Sequence, residues 1–214
     1  MLTIKCIECN MLQENCYIIS DETQECVICD CGAFYAEEKA AIVAYIRENH
    51  LKPVRLIATH GHVDHNFGNK MVFDTYGLQP EVHKADRFLM EKLPIQAKHI
   101  IGIEIEGDMP AVGKYLDGTD VIVFGNHRLQ VIETPGHSPG SVFYYCTEEH
   151  TAFSGDTLFR HSIGRTDFEG GSMFQIIQSL RMLCQWPDQT KVYPGHGPST
   201  TIGEELASNP YLDR

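Results

Sequence analysis

Long apolar segments are missing from this sequence. No hydrophobic run approaches the roughly 20 residues that a membrane-spanning helix needs, and the N-terminal M-L-T-I-K-C lacks the apolar segment of a signal peptide. Low-complexity stretches, linkers and short-period repeats are also absent. We therefore expect no membrane partner, a cytoplasmic location and one domain in which sheets pack between helices.

Positive charge is scarce as well. Lys and Arg total 17 against 29 Asp and Glu, so the formal net charge is −12 at pH 7. Nucleic-acid binding depends on clustered Lys and Arg that neutralise phosphates, and the sequence has no such cluster. We expect a small-molecule substrate and no nucleic-acid partner; the oligomeric state has no signature in the sequence.

Cysteine, in contrast, is abundant, with eight in the chain. Six of them lie near the N-terminus: Cys6, Cys9, Cys16, Cys26, Cys29 and Cys31. Two C-x-x-C pairs among them have the spacing of a four-thiolate zinc site. Both segments look extended, however, and strand residues three apart point to opposite faces. We favour core residues on two strands over a zinc site.

Hydrophobic periodicity predicts a mixture of strands and helices. The predicted strands cover residues 3–9, 16–20, 26–30, 54–58, 80–83, 120–124, 129–133, 141–146, 151–154 and 191–193. The predicted helices cover residues 35–49, 66–76 and 86–92, together with one that Ser172 caps. The apolar face of this last helix is predicted to carry Met173, Ile176, Ile177, Leu180, Leu183 and Cys184. Pro53 ends the first helical segment, and residues 94–119 are rich in glycine and less regular.

A dense set of metal-ligand side chains occurs at residues 59–65, which read T-H-G-H-V-D-H. In an extended or turn conformation, side chains two positions apart point the same way. His60, His62 and Asp64 follow that spacing, and His65 adds another imidazole. A single tetrahedral metal could hardly use all four side chains, whereas two metals could share them.

Three further loops carry a ligand-type residue directly after a glycine and just after a predicted strand. They are T-P-G-H-S-P-G with His137, F-S-G-D-T-L with Asp156 and Y-P-G-H-G-P with His196. Glycine allows a sharp turn, so that side chains from several strand ends can meet. Each signal is weak alone, but five of the eleven histidines fall in these loops and T-H-G-H-V-D-H taken together. His161, in the loop after Asp156, stays an open candidate.

Together, T-H-G-H-V-D-H, P-G-H-S-P-G, S-G-D-T and P-G-H-G resemble the metallo-β-lactamase superfamily. G-R-T-D at 164–167 is similar to glyoxalase II-like hydrolases (hydroxyacylglutathione hydrolases), especially their short, single-domain form. The resemblance implies an α/β (α+β) fold of the αββα sandwich type. It also implies one metallo-β-lactamase-like domain over residues 1–214, without the C-terminal helical domain that helps longer members bind glutathione.

The resemblance also implies two divalent metal ions, with zinc expected and iron or manganese as alternatives. One ion would be held by His60, His62 and His137, the other by Asp64, His65 and His196, with Asp156 bridging both. The ions would make hydroxide available at neutral pH for attack on a carbonyl carbon. Thiols have a pKa of about 8.5, so thiolates leave readily and a small thioester is the expected substrate.

Several residues have roles that the sequence leaves open. Asp64 and Asp156 are the expected catalytic residues, with Asp64 a ligand first and a proton acceptor second. Asp30 and Asp167 either fix a ligating imidazole or cap turns, and Arg165 meets a substrate carboxylate or a structural one. Residues 94–119 either cover the substrate or form a surface excursion. The family's glutathione-binding residues have no counterparts at the matching positions.

Other functions fit parts of the same pattern. A persulfide dioxygenase shares the histidine motif and G-R-T-D but uses a single iron, so metal content and oxygen uptake would identify it. A non-catalytic metal-binding protein would bind ions without turnover. A β-lactamase is disfavoured by the second-site pattern, and a nuclease by the acidic charge.

Overall fold

Two six-stranded sheets, β1-β2-β3-β4-β5-β6 and β14-β13-β10-β9-β8-β7, form the centre of this computed structural model, which describes residues 1–105 and 107–212. The first sheet contains β1 (Thr3–Cys9), β2 (Glu14–Ser20), β3 (Glu25–Cys29), β4 (Lys52–Ile57), β5 (Pro80–His83) and β6 (Lys114–Leu116). The second contains β7 (Val121–Phe124), β8 (His127–Glu133), β9 (Val142–Cys146), β10 (Thr151–Gly155), β13 (Lys191–Pro194) and β14 (Thr200–Thr201). A two-stranded ribbon pairs β11 (Leu158–Phe159) with β12 (Ser162–Ile163).

Six α-helices accompany the sheets in the described part of the chain. They are α1 (Ala36–Glu48), α2 (Asn69–Tyr76), α3 (Arg87–Met90), α4 (Leu93–Gln96), α5 (Met173–Leu183) and α6 (Ile202–Ser208). A π-helical segment, Ala97–Ile101, continues directly from α4. Among residues 1–105 and 107–212, no helix combines the length and apolar character needed to cross a membrane.

The period-two alternation of the strands builds the layers. In β2, Tyr17 and Ile19 pack into a core between the two sheets, whereas Cys16 and Ile18 pack on the opposite face against α1 and α2. A third apolar cluster lies between the second sheet and the helices α5 and α6. Each sheet is therefore covered by the other sheet on one face and by helices on the other, which is the expected αββα sandwich.

The N-terminal cysteines follow the same alternation. Cys26 faces the helices while Cys29 faces the other sheet, so the pair cannot hold one ion together. Within residues 1–105 and 107–212, no candidate group of metal ligands contains a cysteine. The prediction of core residues is confirmed for five of the six and wrong for Cys6, which is exposed on β1.

The predicted elements are largely confirmed, with three instructive differences. β4 begins at Lys52 and includes Pro53, which lies at a register shift against β3, where a missing N–H is tolerated. A 3₁₀ turn at Val63–His65 delays α2 until Asn69, later than predicted. Residues 94–119 contain most of α4, the π-helical segment and β6, so they are more regular than their glycines suggested.

The predicted helix after Ser172 is confirmed as α5. The Ser172 hydroxyl accepts a hydrogen bond from the Gln175 N–H, which satisfies a donor in the first turn. Ile176 and Leu180 are buried against the second sheet, but Met173, predicted on the same face, is exposed. Met173 is the first residue of the helix, where the chain has not yet come over the sheet.

Candidate metal centre

The seven predicted ligands lie on loops that follow strands of both sheets. The loop after β4 carries four of them in T-H-G-H-V-D-H and includes the 3₁₀ turn Val63–His65. The other three follow β8, β10 and β13, each directly after a glycine: His137, Asp156 and His196. The strand ends thus bring together residues as far apart in the sequence as His60 and His196.

The structure brings all seven side chains together. They form three overlapping groups, in each of which the potential ligand atoms lie within 4.8 Å of one another. The first group is His60, His62 and His137; the second group is Asp64, His65 and His196; the joining group is His60, His65 and Asp156. This division matches the two metal sites that the resemblance implies.

Asp156 faces both groups. Its Oδ2 lies 3.6 Å from His137 Nε2 in the first group and 3.6 Å from His196 Nε2 in the second. Its Oδ1 lies 3.3 Å from His65 Nε2. One carboxylate therefore lies close to imidazoles of both groups, as a bridging ligand requires.

Hydrogen bonds orient three of the imidazoles with their Nε2 atoms inward. In these three, Nδ1 faces an oxygen that can only accept, so Nδ1 carries a proton and Nε2 is the nitrogen left for a metal. The pairs are His65 with Asp30 at 3.0 Å, His137 with the Arg165 carbonyl at 2.7 Å and His196 with the Leu12 carbonyl at 3.0 Å. This outer hydrogen bond is a regular feature of metal-binding histidines.

His60 is oriented through a threonine. The Thr59 hydroxyl donates its proton to Asp30 Oδ2 at 2.7 Å, so Thr59 Oγ1 itself accepts from His60 Nδ1 at 3.1 Å. The Thr59 N–H also donates to Asp30 Oδ1 at 2.6 Å. Asp30 therefore fixes His60 indirectly and His65 directly, which is the first of the two roles that the sequence left open for it.

Unpartnered buried atoms test whether a cation fits these residues. His60 Nε2, His65 Nε2 and Asp156 Oδ1 are buried and have no hydrogen-bond partner. In addition, His62 Nδ1 lies 2.8 Å from His137 Nε2, whose lone pair points at it. Buried polar atoms rarely lack partners, and the three unpartnered atoms belong to the residues of the joining group. The set fits divalent cations of the imidazole- and carboxylate-binding kind.

Burial sets the protonation state of the first group. It lowers the pKa of His60 well below the usual range, and neighbouring imidazoles lower it further. It also lowers the pKa of His62 to about 3, with His137 as the next cause. Both imidazoles are therefore neutral near pH 7, which is the form that binds metals.

The two aspartates of the centre are ionised. Burial opposes ionisation of Asp156, but the neighbouring imidazoles, His65 first among them, hold its pKa well below the usual range. Burial likewise opposes ionisation of Asp64, whose pKa His65 and His196 lower. The centre thus offers two negative charges among five histidines.

The G-R-T-D loop contributes differently from what its sequence suggested. Arg165 forms a bidentate ion pair with Asp167, with both N–O distances at 2.7 Å, and its guanidinium lies 4.1 Å from the centre of the Phe168 ring. Asp167 therefore bonds Arg165 and no imidazole; it is the Arg165 carbonyl that orients His137. Of the two carboxylate partners considered for Arg165, a substrate or a structural residue, the structure shows the structural one, Asp167.

Asp86 is a supporting residue that the sequence analysis missed. Its Oδ2 accepts from the Gly61 N–H at 2.8 Å and the Ser138 hydroxyl at 2.6 Å, and its Oδ1 accepts from the Gly140 N–H at 2.6 Å. It thereby ties the loop of His60 and His62 to the loop of His137. A Cβ on Gly140 would lie 2.6 Å from Asp86 Cγ, so only glycine allows this approach. No motif around H-K-A-D announced it.

Two other residues are placed by the structure. Glu14 is buried beside His65, 3.8 Å from its Nδ1, and burial raises the pKa of its carboxyl well above the usual range. His161 is about half exposed, bonds the Ser208 hydroxyl at 2.8 Å and lies outside the candidate groups. The open candidate is thus not part of the centre.

The centre opens into a cavity of about 530 Å³, which is within the range of ligand pockets. Its lining includes members of both groups and several apolar side chains: Leu12, Val63, Ile100, Ile101, Phe159 and Phe168. Ile100 and Ile101 belong to the π-helical segment, so part of residues 94–119 does border the site.

Comparison with known proteins agrees with this geometry. The sequence model described as "Metallo-beta-lactamase superfamily" matches residues 9–196. The chain belongs to the metallo-β-lactamase superfamily. The superfamily match spans all seven predicted ligands, which lie between His60 and His196.

Individual members of the superfamily are similar over nearly their whole length. The "Hydroxyacylglutathione hydrolase GloC" of Haemophilus influenzae is 32% identical over 214 residues, which cover 99% of each chain. A crystal structure of "BLEG-1 B3 metallo-beta-lactamase" superposes with a TM-score of 0.90 at 34% identity, covering 99% of this chain and 100% of that one. The crystal structure of TTHA1623 "in a di-iron-bound form" gives a TM-score of 0.85 at 34% identity, with coverage of 97% and 100%.

The superfamily and its glyoxalase II homologues support a metal-dependent hydrolase. The His and Asp clusters are candidate sites for divalent metals.

Proposed function

We propose that this protein is a dinuclear metal hydrolase that cleaves a small thioester. The observation that carries the proposal is the meeting of the first and second groups at Asp156, beside a cavity of 530 Å³. Similarity to GloC, whose name describes hydrolysis of a glutathione thioester, supports the choice of thioesters.

The first group would hold one divalent ion and the second group another, with Asp156 as a ligand of both. When bound, the ions would supply hydroxide from water near neutral pH and a Lewis acid for a carbonyl oxygen. We propose zinc, since imidazole and carboxylate ligands suit it. The di-iron form of TTHA1623 makes iron the alternative.

The chain's own contribution is to hold these ligands ready before the substrate arrives. Asp30, the Arg165 carbonyl and the Leu12 carbonyl fix imidazole orientation, so little reorganisation accompanies the reaction. The Asp64 carboxylate borders the cavity with Oδ2 3.3 Å from His196 Nε2. Asp64 serves as a ligand first and can accept a proton second.

The cavity also favours a leaving group that needs no acid. Its described lining residues include no lysine, tyrosine, serine or cysteine that could protonate a departing group. An amine or alkoxide would need such a donor. A thiolate leaves without one, because thiols have a pKa of about 8.5.

Metal analysis combined with a hydrolysis screen tests this function. The purified protein is loaded with zinc or iron and assayed on lactoylglutathione, other thioesters, lactones and a persulfide. We expect two ions per chain and hydrolysis of at least one thioester. One iron per chain with oxygen uptake on the persulfide would instead identify a dioxygenase, and ion binding without turnover a non-catalytic metal-binding protein.

A second candidate function is β-lactam hydrolysis. Similarity to BLEG-1, which covers both chains almost completely, favours it. This reaction is also an attack on a carbonyl carbon, but its leaving group is an amine. Adding a cephalosporin and a penicillin to the same screen tests it, and turnover of the β-lactams without turnover of any thioester would replace the first proposal.

A further inference from the structure

The cavity beside the metal centre continues into a second one. A smaller cavity of 180 Å³ shares three lining residues with it: His62, Ile100 and Phe168. Leu89 and Ile95 also line this smaller cavity. We call the two cavities together the apolar groove, since the side chains outside the ligand groups are mainly aliphatic or aromatic.

The mouth of the apolar groove carries large apolar side chains that water reaches. Ile95 is 54% exposed, Ile100 is 46% exposed and Leu12 is 43% exposed. Ile100 is presented by the π-helical segment Ala97–Ile101, an irregularity that often occurs at functional sites. Exposed apolar residues grouped around a cavity indicate a surface that an apolar ligand covers.

The cationic side chains of the apolar groove are already engaged by carboxylates. Arg165 forms its bidentate pair with Asp167. Lys92 pairs with Glu169 at N–O distances of 3.0 and 3.1 Å. Among the described residues that line the apolar groove, Lys92 is the one lysine and Arg165 the one arginine. His99 is the remaining basic side chain outside the ligand groups.

Charge therefore opposes an anionic substrate here. Glutathione carries two carboxylates, and removing them from water without a cationic partner is unfavourable. The formal net charge of −12 adds a long-range repulsion of anions. The lining instead offers apolar contact over both cavities.

We propose that the substrate is a thioester whose acyl and thiol parts are apolar and uncharged, rather than a thioester of glutathione. This inference rests on the proposed thioesterase function. It assigns specificity to Ile100 and Phe168, which border both cavities, and leaves the reaction at the metal centre unchanged.

A matched pair of substrates tests the proposal. The same acyl group is placed on glutathione and on an uncharged thiol, N-acetylcysteamine, and kcat/KM is measured for each on the metal-loaded enzyme. We expect the uncharged ester to be preferred by on the order of tenfold or more, the scale that pocket contacts provide. Matched non-hydrolysable thioethers, titrated by calorimetry, should show the same order of affinity.

A variant with a new cation sharpens the test. Ile100→Lys places a positive charge at the mouth of the apolar groove and should shift the kcat/KM ratio toward the glutathione ester by about tenfold. Val123→Lys is the matched control, since Val123 is 59% exposed on β7 and lies outside both cavities. It adds the same charge, so its ratio should equal that of the wild type.

The outcomes separate this proposal from the function on which it rests. Equal or faster turnover of the glutathione ester by the wild type would overturn the proposal and leave the thioesterase function standing. Equal shifts for Ile100→Lys and Val123→Lys would overturn the role of Ile100. Absence of turnover on both esters, with two ions bound, would overturn the function and the proposal together.

Discussion

The two ligand groups of the metal centre differ in charge and in access to water. The first group consists of three histidines, His60, His62 and His137, that are 1%, 5% and 2% exposed. The second group contains a carboxylate, and the side chains of Asp64 and His196 are 14% and 24% exposed. One group is an enclosed set of imidazoles, and the other contains a carboxylate and is more exposed.

This difference implies a division of labour between the groups. A more enclosed site is expected to exchange its ion more slowly than a more exposed one. We therefore expect the first ion to be the more firmly held, with Asp156 transmitting the state of one group to the other.

Removal of the residue common to both groups should have the largest effect. Asp156→Asn takes away the negative charge that faces His65, His137 and His196, so we expect loss of both ions and turnover below detection. Metal content and kcat measure this result. His161→Ala is a suitable control, since His161 is in the following loop and outside the centre. A variant that keeps two ions would refute the bridging role.

Single-group variants should separate the two ions. His62→Ala should abolish turnover without unfolding the chain and leave at most the second-group ion. His196→Ala should remove the second-group ion and keep the first-group ion, because the three histidines of the first group are unchanged and buried. Metal content per chain, with circular dichroism as the folding control, measures both. Equal ion loss in the two variants would contradict the proposed difference between the groups.

A change behind the first group should weaken it selectively. The Asp86 carboxylate links the His60 and His137 loops by accepting hydrogen bonds from Gly61, Ser138 and Gly140. Asp86→Asn replaces one of its acceptor oxygens with an NH₂ donor. We expect about a 10- to 100-fold loss of metal affinity, the usual effect of altering outer partners. Asp21→Asn is the control, because Asp21 is a buried aspartate that bonds Thr23, Asn126 and His127 instead. An unchanged affinity in Asp86→Asn, or an equal loss in the control, would argue against the positioning role.

The pH dependence of the metal-free protein should have opposite signs in the two groups. Burial lowers the pKa of His62 to about 3, so the unfolded chain, with a histidine pKa of about 6.5, takes up the proton first. The free energy of unfolding therefore falls as pH drops from about 6.5 toward 3.

His65 behaves in the other direction. Burial lowers its pKa, but Asp156, Asp64 and Asp30 outweigh burial and raise the pKa well above the usual range. Its stabilisation is complete below about pH 6.5 and is lost as pH rises through the raised pKa. Melting temperatures of metal-free His62→Gln should flatten the acid side, and those of His65→Gln the alkaline side. Identical pH profiles would contradict this contrast.

The local pattern predicted some features well because they depend on neighbours in sequence. Alternation in β2 and β3 indicated two-sided strands, and Ser172 indicated the start of α5. The boundaries that differed depend instead on pairing between strands. Pro53 enters β4 at a register shift against β3, and β6 is only three residues long, held by pairing with β5. Neither partner strand is visible in a short window of sequence.

The candidate site shows the same division. The spacing of His60, His62 and Asp64, and glycine before His137, Asp156 and His196, indicated in advance the side chains that the fold brings together. Asp86 was not predictable, because its partners are two backbone N–H groups and a hydroxyl from distant loops. Of the two roles left open for Asp167, contact with an imidazole is not observed, because nearby Arg165 offers that carboxylate a bidentate partner.

The order of residues along the chain decided which side chains could bind metal and which strands would deliver them, since ligand chemistry and period-two alternation are local properties. The folded arrangement decided which nitrogen of each imidazole faces inward, that Asp156 meets both groups, and that Ile100 and Phe168 border both cavities. Those features depend on distances between residues far apart in the chain, and only packing of the two sheets sets such distances.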